Sequence, residues 1–259
     1  MNRYFFLASI AATGFVHSAI LIQDNFDGAS TSSSINERAP SLNLVNSNNW
    51  VARPAPTTIF GNGTGGVSMD TSLNQMGAIS LGTNYFTTNP GVYQLSYTIK
   101  HPTSYGDSWI GFGFTGGLNV EQNFTNVDNA AGPWMFYRAS GAVIVRSTGS
   151  GGSVTLSSLA AGSSNTFMFE LDTTSAQWSY NFYVNGQVQD LNGAAAGTAF
   201  TYGVGANPNI TNLAIGTGFL NGGGTSTGDN FTFALVPEPS HVVMLAVSAG
   251  MLALRRRRC

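Results

Sequence analysis

Cysteine and charge are both scarce in this chain. A single cysteine, Cys259, stands at the C-terminus, so the fold cannot depend on an internal disulfide. Charged residues make up 8% of the 259 positions, and Lys100 is the one lysine. Nucleic-acid binding needs clustered basic residues, which argues against that class of partner. Solubility must therefore come from Ser, Thr, Asn and Gln.

Long hydrophobic runs are also missing, although a short apolar segment lies near each end. The first contains one early cation, Arg3, followed by apolar residues from Tyr4 to Val16 and a small residue at Ser18. This pattern predicts a secretory signal peptide over residues 1–18, because it is too short and wrongly flanked for a stable membrane span. We therefore expect the rest of the chain to be exported.

The second apolar segment forms the C-terminal tail. It starts after Pro237, Glu238 and Pro239, where prolines keep the backbone extended. Fifteen residues from Ser240 at about 1.5 Å each give roughly 22 Å, short of the ~30 Å hydrocarbon core. The tail predicts a short hydrophobic helix with a cytoplasmic arginine stop. The span and its stop comprise Val242, Leu245, Val247, Leu252, Leu254, Arg255, Arg256, Arg257 and Arg258.

The order Pro-Glu-Pro, short apolar span, arginine cluster resembles the PEP-CTERM sorting signal of Gram-negative bacteria. The resemblance covers residues 237–259. It implies transient anchoring in the inner membrane and processing by an exosortase, with delivery of the body to the cell surface or extracellular matrix. It implies no enzymatic activity for the body. A plain membrane tether is the alternative interpretation. Cys259 is interpreted as an incidental thiol, with a lipidation or redox site as the alternative.

Residues 19–236 form the remaining body, which is acidic and rich in strand patterns. It carries five cations against eleven acids, a net charge of minus six. Val92–Lys100 alternates apolar and polar residues, and Asn185-Gly186 indicates a type I′ hairpin. The predicted strands are Ile20–Phe26, Met76–Leu81, Val92–Lys100, Ser108–Thr115, Trp134–Arg138, Ala142–Ser147, Ser153–Leu159, Asn165–Asp172, Gln177–Val184, Gln187–Gln189, Leu213–Gly216 and Asn230–Val236.

Many half-polar strands without an amphipathic helix predict an all-β domain of two packed antiparallel sheets, a jelly-roll β-sandwich. Residues 21–28, with the sequence Leu-Ile-Gln-Asp-Asn-Phe-Asp-Gly, and the strand and turn over residues 180–186 are similar to the concanavalin A/laminin-G-like superfamily. This resemblance implies the fold only.

Glu170 and Asp172 are the candidate catalytic pair. Residues two apart in a strand point to the same face, and paired carboxylates can share acid and base roles. Concanavalin-like glycoside hydrolases carry a third carboxylate in this pattern, but Thr173, Thr174 and Ser175 follow here. The pair is therefore interpreted as solvated outer-face residues. His101 is predicted in a surface loop, and the chain contains no nucleophile elbow.

A repeated tripeptide suggests a metal site. Asp24-Asn25-Phe26 recurs as Asp229-Asn230-Phe231, and first and last strands often lie side by side in jelly rolls. Asp24, Asp27 and Asp229 would then supply hard oxygen ligands suited to a structural Ca²⁺. The alternative is two unrelated turn-forming acids. No other cofactor is expected.

Trp109, Trp134 and Tyr137 are the candidate glycan-binding residues. Alternation places Trp109 on the face opposite Phe112, so its ring would lie outside the core, where aromatic rings can stack on sugars. Core packing is the alternative for all three residues. Trp178, in register with Tyr180, is predicted in the core.

The sequence thus favours an exported, non-enzymatic surface or matrix protein that binds or structures exopolysaccharide. A purely structural, self-associating surface protein and a glycoside hydrolase acting through Glu170 and Asp172 are the alternatives.

Overall fold

The structure is a computed structural model of the 259-residue chain. It describes residues 18–27, 34–53, 59–61, 66–70, 75–101, 108–117, 132–146, 153–156, 158–160, 162–193, 196–201, 210–218 and 225–237. Residues 1–17 of the signal peptide predicted over residues 1–18, and the predicted tail from Glu238 onward, lie outside these residues. Within the described part, no helix has the length and apolar character needed to cross a bilayer.

The described chain is built almost entirely of strands, with one helical turn, α1 (Tyr85–Thr88). In chain order the strands are β1 (Ala19–Asp24), β2 (Leu42–Asn43), β3 (Val51–Arg53), β4 (Ile59–Gly61), β5 (Val67–Asp70), β6 (Gln75–Ser80), β7 (Val92–Lys100), β8 (Trp109–Thr115), β9 (Trp134–Arg138), β10 (Val143–Arg146), β11 (Ser153–Leu156), β12 (Ser164–Asp172), β13 (Ser179–Val184), β14 (Gln187–Gln189), β15 (Phe200–Thr201), β16 (Asn212–Gly218) and β17 (Thr225–Val236).

The strands form two antiparallel sheets. The ten-stranded sheet runs β14-β13-β12-β7-β17-β1-β2, with β15 paired to β13, β5 to β17, and β4 to β5. The seven-stranded sheet runs β11-β10-β9-β8-β16-β6-β3. The β-sandwich predicted from the strand patterns is therefore confirmed.

The core lies between the two sheets, and the alternation seen in the sequence decides which side chains enter it. In β7 every second residue is buried, and β12 shows the same rhythm. We call the core-facing side of each sheet its inner face and the opposite side its outer face. The inner faces contribute Tyr93, Leu95, Tyr97, Ile99, Ile110, Phe112, Phe114, Met135, Tyr137, Phe167, Phe169, Leu171, Tyr180, Phe182, Leu213 and Ile215 to one hydrophobic cluster.

Turn chemistry and topology agree with the predictions in two places. Asn185 and Gly186 have φ values of 49° and 79°, which a type I′ turn requires, and they join β13 to β14. The first and last strands of the body are neighbours, with Asp24 opposite Phe231. The predicted closure of the sandwich by its terminal strands is therefore confirmed.

Several short elements were not predicted. β2 and β15 have two residues each and β3 has three, which is too short to show a two-residue period. They are strands because longer neighbours offer unpaired backbone groups, as β6 does to β3. α1 is a single turn that buries Phe86.

Candidate functional site

The outer face of the seven-stranded sheet carries a row of aromatic rings. Strand pairing sets Trp109 opposite Arg138 and Phe136 opposite Gly111, while Trp134 stands opposite both Gly113 and Arg146. The five large side chains of this row, which we call the arginine-aromatic face, are Trp109, Trp134, Phe136, Arg138 and Arg146.

The rings of this face contact one another. The Phe136 ring centroid lies 5.5 Å from that of Trp109 and 5.5 Å from that of Trp134, at interplanar angles of 38° and 34°. Gly218 stands opposite Trp109 in the next strand, and a Cβ on Gly218 would overlap the indole. A glycine is therefore needed here for the ring to lie flat across the sheet.

Burial corrects the glycan platform predicted from the sequence. Trp109 does lie on the outer face, as its alternation indicated, but it is only 3% exposed and Trp134 only 1%. Tyr137 belongs to the inner face and is fully buried, with its hydroxyl donating to the Ala160 carbonyl at 3.3 Å. None of the three presents an open ring to solvent. The prediction failed because alternation fixes which face a side chain occupies but not what covers that face.

Two guanidinium groups lie on these buried rings. The Arg138 guanidinium carbon is 5.3 Å from the Phe136 ring centroid, and that of Arg146 is 5.4 Å from the Trp134 centroid. Both arginines are partly exposed, and Arg146 Nε is buried with no hydrogen-bond partner among the residues that the structure describes. The face therefore presents cations to solvent over an aromatic floor.

The charge on this face has one sign. Arg53 of β3 stands opposite Met76 and shares the outer face with Arg138 and Arg146. Three of the five cations of the body thus lie on one sheet face. No carboxylate occupies this face in the strands that the structure describes. Sequence reasoning missed the arginines, although Arg138 has the same strand parity as Trp134.

The candidate catalytic pair lies on the other sheet. Glu170 and Asp172 point to the outer face of the ten-stranded sheet, as predicted, and both are half-buried. The Glu170 carboxylate accepts hydrogen bonds from Gln94 Nε2 at 2.9 Å and from the Tyr183 hydroxyl at 3.2 Å. Asp172 instead accepts from the backbone N–H and hydroxyl of Thr174 at 2.9 and 2.6 Å. The two carboxylates therefore serve separate local networks.

Tyr183 is affected by this arrangement. Its pKa is raised, first by burial and then by the negative charge of Glu170. The phenol therefore remains protonated and keeps its hydrogen bond to Glu170 at neutral pH.

His101 does not lie on the surface. It is 1% exposed, and its ring packs edge-on against Tyr137 with centroids 5.9 Å apart. The prediction of a surface loop was wrong because the residue follows directly after β7 and the chain there still faces the core.

Asp24 forms a buried polar cluster. Its Oδ1 accepts from Phe26 N at 2.8 Å, from Arg38 at 3.0 Å and from the Ser41 hydroxyl at 3.2 Å. Its Oδ2 accepts from Trp50 Nε1 at 2.7 Å. Four donors surround this fully buried carboxylate, so it joins β1 to the segments carrying Arg38 and Trp50. Asp24 is therefore a poor calcium ligand.

Asp27 and Asp229 are the other two residues of the predicted calcium site. The pKa of Asp229 is raised, first by burial and then by the charges of Asp27 and Asp24, against a lowering hydrogen bond from Asn230 N. The three acids therefore lie close enough to repel one another, as the repeated tripeptide suggested. Among the described residues, no group of three His, Cys, Asp or Glu side chains is arranged to hold a metal. Calcium binding here stays a prediction.

Of the predicted processing residues, Pro237 alone belongs to the described part of the chain. Pro237 follows β17 directly and is partly buried, while Glu238, Pro239 and the arginine cluster lie outside the described residues.

No family model and no curated protein matches this chain significantly. Solved structures match it along most of its length. The endo-1,3-beta-glucanase from Streptomyces sioyaensis aligns with a TM-score of 0.53 at 11% identity, over 85% of this chain and 97% of that one. A glycosyl hydrolase family protein from Mycobacterium fortuitum aligns at 0.50 and 12% identity, over 83% and 99%.

The binding domain of botulinum neurotoxin serotype D/C is also similar, with a TM-score of 0.51 at 8% identity, over 86% of this chain and 52% of that one. At such identities the likeness establishes the two-sheet sandwich fold and leaves activity open.

Proposed function

We propose that the protein is an exported, non-hydrolytic surface or matrix protein that binds acidic polysaccharide through the arginine-aromatic face. Its C-terminal tail would direct it to an exosortase in the inner membrane of a Gram-negative bacterium, after which the body would reach the cell surface or matrix. Export rests on the sequence of the two ends alone.

The observation that carries the binding proposal is the separation of charge. The body has a net charge of minus six, yet Arg53, Arg138 and Arg146 share one sheet face with no described carboxylate. An otherwise acidic surface repels polyanions, so a local cationic face decides where such a polymer can bind. The planar guanidinium also suits bidentate recognition of the carboxylates that acidic sugars carry.

Buried aromatic rings support this use of the arginines. Arg146 lies over Trp134, which limits the positions the guanidinium can take. A donor held in place loses less conformational entropy when it binds a ligand than a free side chain does. The rings would therefore contribute by orienting cations, instead of by stacking on sugars themselves.

The solved neighbours make a carbohydrate ligand reasonable and a hydrolase the main rival. Two of them are named a glucanase and a glycosyl hydrolase. We propose binding without hydrolysis because the one described candidate pair, Glu170 and Asp172, is divided between two hydrogen-bond networks.

The test is affinity electrophoresis of the full-length chain in native gels that contain polygalacturonate, with dextran gels as the neutral reference. We expect retardation only in polygalacturonate, and we expect added salt to weaken it because salt screens exposed charges. Arg146→Gln should reduce the retardation several-fold. Lys100→Gln removes the same charge from the other sheet and should change it little.

Equal retardation of the Arg146→Gln and Lys100→Gln variants would reject the arginine-aromatic face as the site. The hydrolase alternative has its own assay, release of reducing ends from 1,3-β-glucan. We expect no release by the wild-type chain. Release that disappears in Glu170→Gln would replace the proposed function with hydrolysis.

A further inference from the structure

A cavity of about 790 Å³ opens at one edge of the ten-stranded sheet. Strands β14 and β15 both pair with β13, along residues 182–184 and residues 179–180 respectively, and Asn181 lies between these two stretches. The loop that joins β14 to β15 returns toward its start through a hydrogen bond from Leu191 N to the Thr198 carbonyl. The cavity lies between this loop and the sheet edge. It belongs to the ten-stranded sheet, whereas the arginine-aromatic face belongs to the seven-stranded sheet.

The lining of the cavity is neutral. Its polar side chains are the amides of Asn181 and Asn192 and the hydroxyls of Thr198 and Thr201, and the described residues of its lining include no charged side chain. Thr198 Oγ1 donates to Asn181 Oδ1 at 3.1 Å, which orients that amide. An ionic ligand would lose its hydration here without gaining a charged partner, so the lining favours an uncharged ligand.

Asn192 holds the loop that forms one side of the cavity. Its Nδ2 donates to the carbonyls of Ala199 at 3.2 Å and Ala196 at 3.4 Å, which fixes the orientation of the amide. Its Oδ1 is buried, so it lies out of reach of a ligand in the cavity. The polar side chains that a ligand can reach are those of Asn181, which is partly exposed, and Thr201, which is exposed.

Phe200 provides an apolar wall beside these amides. Its ring is half-buried and packs against Tyr180, with centroids 5.7 Å apart at 35°. A ring of this kind, next to hydrogen-bonding groups of fixed orientation, suits a sugar, which has hydroxyl edges and an apolar C–H face.

We propose that this cavity is a second carbohydrate site, which binds a neutral sugar unit. Sugar hydroxyls would hydrogen-bond to the side chains of Asn181 and Thr201, and the C–H face of the sugar would lie against Phe200. The site is independent of the arginine-aromatic face. A chain with both sites would hold an acidic polymer and a neutral glycan at the same time.

The experiment is isothermal titration calorimetry of the full-length chain with a β-1,3-linked glucose disaccharide and, as the charged counterpart, with the same disaccharide in which glucuronic acid replaces one glucose. We expect saturable binding of the neutral disaccharide and at least tenfold weaker binding of the charged one. No heat with the neutral disaccharide, or equal affinity for the two sugars, would overturn the proposal.

The deciding variant is Ala196→Trp, which fills the cavity from an exposed lining position. Ala176→Trp places the same side chain at an exposed alanine outside the cavity lining and serves as the control. We expect Ala196→Trp to weaken disaccharide binding at least tenfold and Ala176→Trp to leave it unchanged. Equal affinities for the two variants would overturn the site.

Asn192→Ala would remove two loop hydrogen bonds and disturb the loop itself, so Ala196→Trp carries the test. Arg146→Gln should leave the disaccharide titration unchanged. The two proposed sites therefore succeed or fail separately.

Discussion

The outer faces of the two sheets differ sharply although their strands alternate in the same way. On the ten-stranded sheet this face carries small polar side chains such as Ser96, Thr98 and Gln94, which are half-buried. On the seven-stranded sheet it carries Trp109 and Trp134, which are almost fully buried. Alternation thus assigns a residue to a face, but the neighbouring residues decide whether that face meets solvent.

Glycine and alanine explain how the aromatic rings fit. Gly111, Gly216 and Gly218, with Ala78 and Ala214, occupy the outer face around them. Because these residues have little or no side chain, the large rings can lie across the strands instead of standing upright in solvent. The ten-stranded sheet has no such floor along β7 and β12, so its outer face remains hydrated.

Removing Trp109 should have the largest effect. Trp109→Ala is expected to lower the free energy of unfolding by about 3–5 kcal/mol, as for other buried aromatic side chains. Val188→Ala changes an outer-face residue of the ten-stranded sheet that is 45% exposed, and it should cost well under about 1 kcal/mol. Urea unfolding of the full-length variants measures both. Similar costs would mean that the two outer faces do not differ in burial.

Adding one carbon at Gly218 should have the next effect. Gly218→Ala places a Cβ where the Trp109 indole lies and should destabilise by roughly 1–3 kcal/mol. The same change in a Trp109→Ala background should cost almost nothing, since the overlapping ring is gone. A double-mutant cycle of unfolding free energies tests this coupling, and additive costs would contradict it.

Neutralising Arg146 should have a smaller effect on stability. Arg146→Gln loses the contact with Trp134, which contributes about 1 kcal/mol at a partly exposed site, but it also removes a buried Nε that lacks a partner in the described part of the chain. The net loss should therefore stay below about 1 kcal/mol. Thermal unfolding compares Arg146→Gln with Lys100→Gln, which should leave stability unchanged. A loss for Arg146→Gln well above about 1 kcal/mol would indicate a structural role for the arginine.

Asp229 should produce the smallest change and one that depends on pH. Its folded pKa is raised above 3.8, so its carboxylate binds protons more readily in the folded chain. The stability that this proton provides is present below the unfolded pKa and is lost as pH rises through the folded pKa. Asp229→Asn should therefore be slightly more stable than wild type near neutral pH and melt at a slightly higher temperature. The gain in the free energy of unfolding should stay below about 1 kcal/mol, because solvent screens this partly exposed group.

The difference should vanish in acid, where Asp229 is protonated in both states of the wild-type chain. Melting curves across acidic and neutral pH check this. A difference in melting temperature that widened in acid would contradict the predicted direction of the pH dependence. The same pair of chains tests calcium. If Asp27 and Asp229 bind Ca²⁺, the ion raises the melting temperature of wild type but not of Asp229→Asn.

Much of the fold could be predicted because its long strands carry their own pattern. Val92–Lys100 was predicted with its bounds, and the Asn185-Gly186 hairpin followed from the positive φ values that these residues tolerate. Short strands such as β2 and β15 could not be predicted, since two residues contain no period and their pairing comes from distant neighbours.

The candidate sites also divide into features that the local sequence predicted and features that depend on distant residues. Strand parity and residue type placed Trp109 outside the core and Tyr180 inside it. Both placements follow from local geometry, which each segment of sequence contains. The pairing of the first strand with the last was expected only from the usual topology of jelly rolls. Only the tertiary structure decided that Trp109 is covered, that Asp24 is surrounded by donors, and that Arg138 and Arg146 lie on aromatic rings. Burial and hydrogen bonding depend on residues that lie far apart in the chain and become neighbours only in the folded sandwich.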